Sequence, residues 1–341
     1  MILITGGAGY IGSHLVFGLL DAGYDVLVYD NLNNSTVQNL KNIAKHIPKR
    51  GVFKFIQGNI LDKPRLTKVF ELFNVTKVVH LAGLKSITES FTEQTRYTNV
   101  NIMGSKIVFD LSFEYNVQTL IFSSTASLYD PLSGGYYTES DPVSTSINHY
   151  AYTKYESEKL LHQLKLGDMT TDVVIFRYFN PVGLHPSGII LDVGDKTTNL
   201  FPALIKSIRT RTPFEIYGTN YITADGTAIR DYIHVCDLVD AHLFVLADTV
   251  FTKEVRLFNL GSTQGYSVKQ VIDTFNYLIE EPITCVYRPR RLGDVKVSVA
   301  DTTRIKETYP WRPTYTLEDM VHSVLVNSMT HDVMKLTVNK Q

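Results

Sequence analysis

The sequence predicts an α/β fold, a doubly wound parallel sheet with a smaller mixed α/β lobe attached to it. Three observations lead there. Short runs that are apolar on both faces alternate with helical stretches through the first half of the chain, the pattern of a buried parallel sheet. The opening run breaks into a loop holding four glycines in seven residues, and a helix follows. Beyond Phe179 the chain turns rich in Gly, Pro and Thr, which marks a second unit with its own packing. At 341 residues the chain is long for one small core and suits two lobes.

Ile2-Leu3-Ile4-Thr5 is the first strand. It runs into Gly6-Gly7-Ala8-Gly9-Tyr10-Ile11-Gly12, a helix spans Ser13 to Asp21, and Gly23 closes it. Asp25 to Tyr29 is the second strand, with Asp30 at its end. Strand, glycine loop, helix, strand and acid within about 30 residues is the layout of a Rossmann-type dinucleotide-binding unit. Gly6 and Gly7 serve the turn, Gly9 admits a pyrophosphate against the backbone, and Gly12 lets helix and strand close up. Tyr10 and Ile11 open the helix, whose N-terminal amides and dipole favour the diphosphate. Asp30 accepts from the adenosine ribose hydroxyls and repels a 2′-phosphate, so the expected cofactor is NAD rather than NADP.

The polar loop Asn31-Leu32-Asn33-Asn34-Ser35 is placed to wrap the adenosine, with Asn31, Asn34 and Ser35 as candidate contacts. A strand over Val52 to Ile56 ends in Gln57-Gly58-Asn59-Ile60, where an adenine ring would lie. The next, Val75 to Leu81, runs into Ala82-Gly83-Leu84-Lys85, and Thr119 to Phe122 ends in Ser123-Ser124-Thr125-Ala126-Ser127-Leu128-Tyr129. Ligands bind at the carboxyl ends of such strands, which makes Leu81, Ala82, Gly83 and Ser123 candidates. Asp172 to Tyr178 is a further strand. Helices are expected over Phe201 to Ile208, Cys236 to Ala247 and from Leu317, with strands at Val255 to Leu260 and near Ile283 to Tyr287. The lobes are interleaved: residues 1–179 and 232–261 form the nucleotide lobe, 180–231 and 262–341 the second.

Composition narrows the class. Lys plus Arg is 33 against 34 Asp plus Glu, which leaves no electrostatic footprint for nucleic acid or an anionic membrane. The two cysteines, Cys236 and Cys285, have neither metal-ligand spacing nor neighbouring histidines, so neither a metal site nor a disulfide framework is expected. The first strand starts at Ile2, and no apolar run approaches the ~18 residues of a membrane helix. A soluble cytoplasmic protein is expected.

The chemistry falls on Tyr150-Ala151-Tyr152-Thr153-Lys154, in a helix that continues through Glu158 and Leu161. Residues at i and i+4 share a helix face, so Tyr150 and Lys154 point the same way. A phenol with an ordinary pKa of about 10 is a poor base near neutrality. A neighbouring ammonium favours the phenolate and is expected to bring it into range for proton transfer. Such a spacing alone usually means a solvated helix face. After a dinucleotide fingerprint and a Ser/Thr-rich strand end it reads as a catalytic pair, with Thr125 as a third, hydroxyl member. Ser127 reads as turn chemistry, and no Gly-x-Ser-x-Gly elbow supports a serine hydrolase.

Several further stretches carry a family resemblance. They are Thr5-Gly6-Gly7-Ala8-Gly9-Tyr10-Ile11-Gly12-Ser13-His14, Ala82-Gly83-Leu84-Lys85 and Arg177-Tyr178-Phe179-Asn180-Pro181-Val182-Gly183. Arg230-Asp231-Tyr232-Ile233-His234-Val235 and Arg291-Leu292-Gly293-Asp294 complete them. The chain resembles the extended short-chain dehydrogenase/reductase family, in its nucleotide-sugar 4-epimerase branch, along nearly its whole length. The resemblance implies interconversion of UDP-glucose and UDP-galactose through a 4-keto sugar, with NAD regenerated in each cycle, in a homodimer. It makes Tyr150 the base at the sugar 4-hydroxyl, Lys154 the holder of the nicotinamide ribose, and Thr125 a relay. Lys85, Asn101 and Tyr178 join the cofactor side. Phe179, Asn180, Asn199, Leu200, Tyr217, Arg230, Arg291 and Asp294 join the UDP-sugar side, with Lys85, Thr125, Tyr150 and Tyr178 reaching both.

The chain departs from the family pattern at Thr125, where a serine is usual, at Asn59 in place of an aspartate, and at Asp130 in place of a glycine. Ser298 occupies the position beside the sugar's second carbon, where a tyrosine excludes an N-acetyl group, so UDP-N-acetylglucosamine is expected as a second substrate. Val299 or Leu191 are the residues placed to close that space instead. The rival readings are a 4,6-dehydratase, which carries an Asp-Glu pair after the threonine where this chain has Ala126 and Ser127, and a non-catalytic NAD sensor, expected to lose Tyr150 or Lys154.

Overall fold

A computed structural model describes residues 1–47, 51–131, 134–146, 148–168, 170–191, 199–291 and 293–328. Leu292 of the Arg291-Leu292-Gly293-Asp294 stretch lies outside them. The chain begins with β1 (Ile2–Thr5), α1 (Tyr10–Asp21), β2 (Val26–Asp30), α2 (Gln38–His46), β3 (Phe53–Gln57), α3 (Lys63–Leu72) and β4 (Lys77–His80). Two short helices, α4 (Ile87–Thr92) and α5 (Gln94–Tyr97), lead through a π-helical stretch at Thr98–Gly104 into α6 (Ser105–Glu114) and β5 (Thr119–Thr125). Next come β6 (Tyr136–Tyr137), α7 (His149–Leu166), β7 (Asp172–Tyr178), β8 (Asn180–Val182), α8 (Leu200–Thr210) and β9 (Phe214–Tyr217). The remainder holds β10 (Ile229–His234), α9 (Val235–Ala247), β11 (Arg256–Leu260), β12 (Gly265–Ser267) and α10 (Val268–Leu278). It closes with β13 (Cys285–Arg288), β14 (Val297–Ala300), α11 (Thr303–Thr308) and α12 (Leu317–Ser328).

Seven strands form one parallel sheet in the order β11-β7-β5-β4-β1-β2-β3. The order reverses direction at β1, the switch point where a crevice opens outside the strand ends. Every residue of β1, β2, β5 and β7 is buried, so their continuous Val/Ile/Leu/Phe runs reflect helices on both faces. Two apolar clusters fill those faces. One packs α1 and α9 on the sheet through Leu15, Leu19, Leu238 and Val245, the other packs Leu66, Phe109, Phe122 and Leu161. The strand β3 at the edge is only half-buried.

The returning strand was legible as Val255 to Leu260 and lies at the other edge, beside β7. Outside this sheet the chain builds a second sheet, β12-β10-β14-β6, with β8 also paired to β10, and a two-stranded ribbon of β9 and β13. A third apolar cluster, with Phe201, Phe275, Leu278, Met320 and Val321, packs α8, α10 and α12 there.

Candidate active site

The glycine loop binds its own neighbours closely. Gly6 has φ of 76°, and a side chain there would meet the Ala82 backbone nitrogen at 2.6 Å. A side chain at Gly12 would fall on the Gly6 carbonyl, so α1 starts tight against β1. No side chain caps that helix; Gly9 at its N-cap offers backbone only. Such an uncapped N-terminus leaves backbone amides free of side-chain partners. The loop also reaches outward: Tyr10 donates its hydroxyl to the Gly183 carbonyl at 2.6 Å, and Ile11 packs on the α1 face of the core.

Asp30 stands at the end of β2, 8% exposed. Its Oδ2 accepts from Ala8 N at 3.0 Å, and its Oδ1 accepts from Leu32 N at 2.8 Å and Ser35 Oγ at 3.1 Å. The acid thus holds the glycine loop and the loop after β2 together. Asn31 accepts from Asn33 N, and Asn34 accepts from the Asn33 amide, both on the exposed rim. Asn59 spends its Oδ1 on Leu61 N, while Ile60 is buried against Gly104.

At the end of β4, Leu81 and Ala82 back onto Thr5, and Gly83 comes close to Asn101 and Lys154. Asn101 is 1% exposed in the π-helical stretch. It accepts from Leu84 N at 2.8 Å and donates to Leu84 O and to Thr153 Oγ1, each at 3.0 Å. Its side chain is therefore a brace between the β4 loop and α7. Lys85, the next residue but one after Gly83, is exposed at the mouth.

The catalytic candidates meet at the end of β5. Asn148 caps α7 by accepting from Ala151 N at 2.7 Å, which puts Tyr150 and Lys154 in its first two turns. Lys154, 6% exposed, donates to the Ser123 carbonyl at 2.8 Å and lies 4.7 Å from the Phe122 ring. Burial draws the ammonium down to about 8, and Glu158 pulls it back up. The Thr125 hydroxyl bonds the Tyr150 phenol and accepts from Ser127 N at 3.1 Å, the turn chemistry expected of Ser127. Ser123 spends its hydroxyl on the His80 carbonyl.

One expectation is corrected here. Lys154 does not bring the Tyr150 phenol toward neutrality: burial pushes that phenol up to about 12, and Thr125 alone opposes it. The ammonium is turned to the strand-end carbonyl, and loss of water outweighs the Thr125 hydrogen bond. Tyr178, at the end of β7, is buried. Its hydroxyl bonds His242 Nε2 at 2.7 Å inside the α9 face, so its polar end is already committed.

The remaining candidates line the second sheet and its ribbon. Phe179 packs in a small buried cluster with Tyr129 and Tyr137, and Asn180 begins β8 opposite Tyr232. Asn199, exposed, precedes α8 without capping it, and Leu200 is half-buried at its start. Arg230 faces Asp294 at 3.7 Å, and Arg291 lies over the Tyr217 ring at 3.9 Å. Ser298, half-buried, sits on β14 directly opposite Arg230. Val299, next on the strand, packs toward Gly265, and the Leu191 backbone N donates to Asn39 Oδ1 of α2 at 3.0 Å.

A family model described as NAD dependent epimerase/dehydratase matches residues 2–261. The chain belongs to this family. It is similar to the UDP-glucose 4-epimerase of Yersinia pestis, with 36% identity over 94% of both chains. A crystal structure of UDP-glucose 4-epimerase from Bifidobacterium longum with NAD+ and UDP superposes with a TM-score of 0.89. It is 34% identical and covers 96% of this chain and 97% of that one. The UDP-Glc/GlcNAc 4-epimerase of Campylobacter jejuni superposes with a TM-score of 0.79, at 28% identity over 96% and 98% of the chains. The fold, a Rossmann-type sheet carrying a mixed α/β region, is therefore that of the UDP-glucose epimerases.

Sequence reasoning missed His242 behind Tyr178, the Tyr10–Gly183 bond and the buried Glu158–Arg177 pair. Only the last left a signal, the i+4 spacing of Glu158 from Lys154. Among the described residues no His/Cys/Asp/Glu group is arranged to hold a metal, and no helix is long and apolar enough to cross a membrane.

Proposed function

We propose that the chain is an NAD-dependent isomerase that interconverts UDP-glucose and UDP-galactose through a 4-keto sugar. The observation that carries this is Tyr150 and Lys154 on one face of α7, meeting Thr125 at the end of β5, on the same carboxyl edge of the parallel sheet as the uncapped N-terminus of α1. The residues fit NAD: a side-chain-free helix start for the diphosphate, and Asp30 at the end of β2 for the ribose.

Bound NAD supplies a hydride acceptor, and later donor, at C4 of the sugar. Tyr150 takes the proton of the 4-hydroxyl and returns it after the keto sugar has turned its other face. Thr125 hydrogen-bonds that phenol, and Lys154 holds the nicotinamide ribose. A phenol held near 12 by burial needs a nearby positive charge to ionise, which an oxidised nicotinamide would supply when bound. Arg230, Arg291 and Asp294, with Tyr217 and Asn180, hold the UDP-sugar, the arginines as charge-assisted clamps on its diphosphate. The 4,6-dehydratase reading is disfavoured because the turn after Thr125 carries Ala126 and Ser127 and no carboxylate.

Residues 1–179 and 232–261 serve as the nucleotide lobe, and 180–231 and 262–341 as the UDP-sugar lobe. The division is supported by the parallel sheet taking β11 from beyond β10. Homodimer formation rests on the family resemblance, and a cytoplasmic setting on two unpaired cysteines, Cys236 and Cys285. The test is incubation with UDP-galactose, without added NAD or reductant. UDP-glucose is the expected product, and denaturing the protein should release NAD. No UDP-glucose, or release of NADP instead, contradicts the assignment.

A further inference from the structure

Glu158 lies one turn beyond Lys154 on the same face of α7 and is 3% exposed. Its Oε1 accepts from the Ser124 hydroxyl at 2.5 Å and from Arg177 Nε at 3.1 Å; its Oε2 accepts from Arg177 Nη2 at 2.7 Å. Ser124 stands between Ser123, whose carbonyl receives the Lys154 ammonium, and Thr125, whose hydroxyl meets Tyr150. One carboxylate therefore joins α7, β5 and β7 where all three catalytic candidates are attached. The Tyr129 ring closes the far side, 4.9 Å from the Arg177 guanidinium. A fold does not need such a pair. Apolar residues of the same volume often stabilise a core as well or better than a buried salt bridge.

Building on the assignment of Tyr150, Lys154 and Thr125 above, we propose that Glu158, clamped by Arg177, is a positioning residue for the reaction. It fixes the end of β5 so that Ser123 and Thr125 meet Lys154 and Tyr150 in register. Its charge matters as well as its shape. The titratable groups that interact with Lys154 are Glu158 on α7 and His80 on β4, the latter kept neutral because burial pulls it down to about 3. Around Glu158 are Arg177 on β7, Ser124 on β5 and Tyr129 beyond the guanidinium. Glu158 is thus the carboxylate that sustains the Lys154 ammonium against burial.

The experiment measures UDP-galactose turnover against pH in the full chain with its bound cofactor. It compares wild type, Glu158→Asp, the double variant Glu158→Gln/Arg177→Met, and Tyr150→Phe. The double variant removes both charges together, so no lone buried arginine unfolds it. Its kcat should fall about tenfold. The alkaline limb of its profile should move to lower pH by about one unit, with KM and NAD content unchanged. Glu158→Asp keeps the charge but draws the carboxylate back from Ser124, so it should lose kcat without moving that limb. A double variant with wild-type kcat and limb overturns the proposal, and so does one that loses NAD in step with activity. Tyr150→Phe separates the two levels. If it stays active, the assignment of the site itself fails; if it is inactive while the double variant is normal, only the role of Glu158 fails.

Discussion

At the end of β5 each candidate catalytic group already has a partner within the protein, Lys154 on the Ser123 carbonyl and Thr125 on Tyr150, and the neighbouring Ser124 is held by Glu158. Across the crevice the arginines are held differently. Arg230 and Asp294 stand 3.7 Å apart with side chains 17% and 35% exposed, and exposed Arg291 rests on the Tyr217 ring. One side is buried and pre-built; the other holds its charges nearer solvent and in longer ion contacts. A proton transfer needs groups fixed before the substrate arrives, since an ångström of misplacement is costly. Binding a diphosphate needs cations whose own pairs are cheap to break, and exposed pairs contribute little. The contrast predicts that changes on the first side act on kcat and changes on the second on KM.

The largest expected effect breaks the pre-built side. Tyr150→Phe deletes one hydroxyl, keeps the ring's packing, and should cut kcat by about 10²–10⁴-fold with NAD content intact. Near-normal turnover would move the base elsewhere, to Lys154 or Thr125. On the open side, Ser298→Tyr should fill the space opposite Arg230. Wild type should epimerise both plain and N-acetylated UDP-sugars, and the variant should retain only the plain pair. A wild type inactive on UDP-N-acetylglucosamine rules that out. Arg230→Ala should raise KM for UDP-galactose about 10–100-fold while kcat changes little, the loss of one charge-assisted contact. An equal fall in kcat would mean that the arginine acts only at the transition state.

How much of this was legible from residues alone follows the same divide. The strands of the main sheet were readable because burial on both faces writes itself as unbroken apolar runs, as in β5 and β7. The Tyr150–Lys154 pair was readable because helix geometry fixes i and i+4. The π-helical stretch around Asn101 was not, since nothing in Thr98–Gly104 breaks helical periodicity. Nor was the acidity of Tyr150, because burial and the direction of Lys154 depend on β5, far away in sequence. The small strands β6, β8 and β12 have two or three residues each, too few to show alternation.

The smallest expected effect probes the pre-built side through its support. His14 and His242 are buried and neutral, each pulled down to about 4 by loss of water. Their folded pKa lies below the unfolded value near 6.5, so the stability they lend is full above 6.5 and lost as pH falls toward 4. Unfolding by urea at pH 7.5 and 5.5 should differ by about 1 kcal/mol for each histidine, less stable in acid. His242→Gln should shrink that difference; an unchanged or inverted pH dependence would contradict burial as its cause.

The central claim is that chemistry happens at C4 of a sugar held in the crevice, with the same hydride leaving and returning. UDP-galactose carrying deuterium at C4 tests it directly, with product UDP-glucose analysed by mass spectrometry. Retention of the deuterium at C4, in ordinary water and without added NAD, is the predicted result. Replacement of that deuterium by solvent hydrogen would contradict the account.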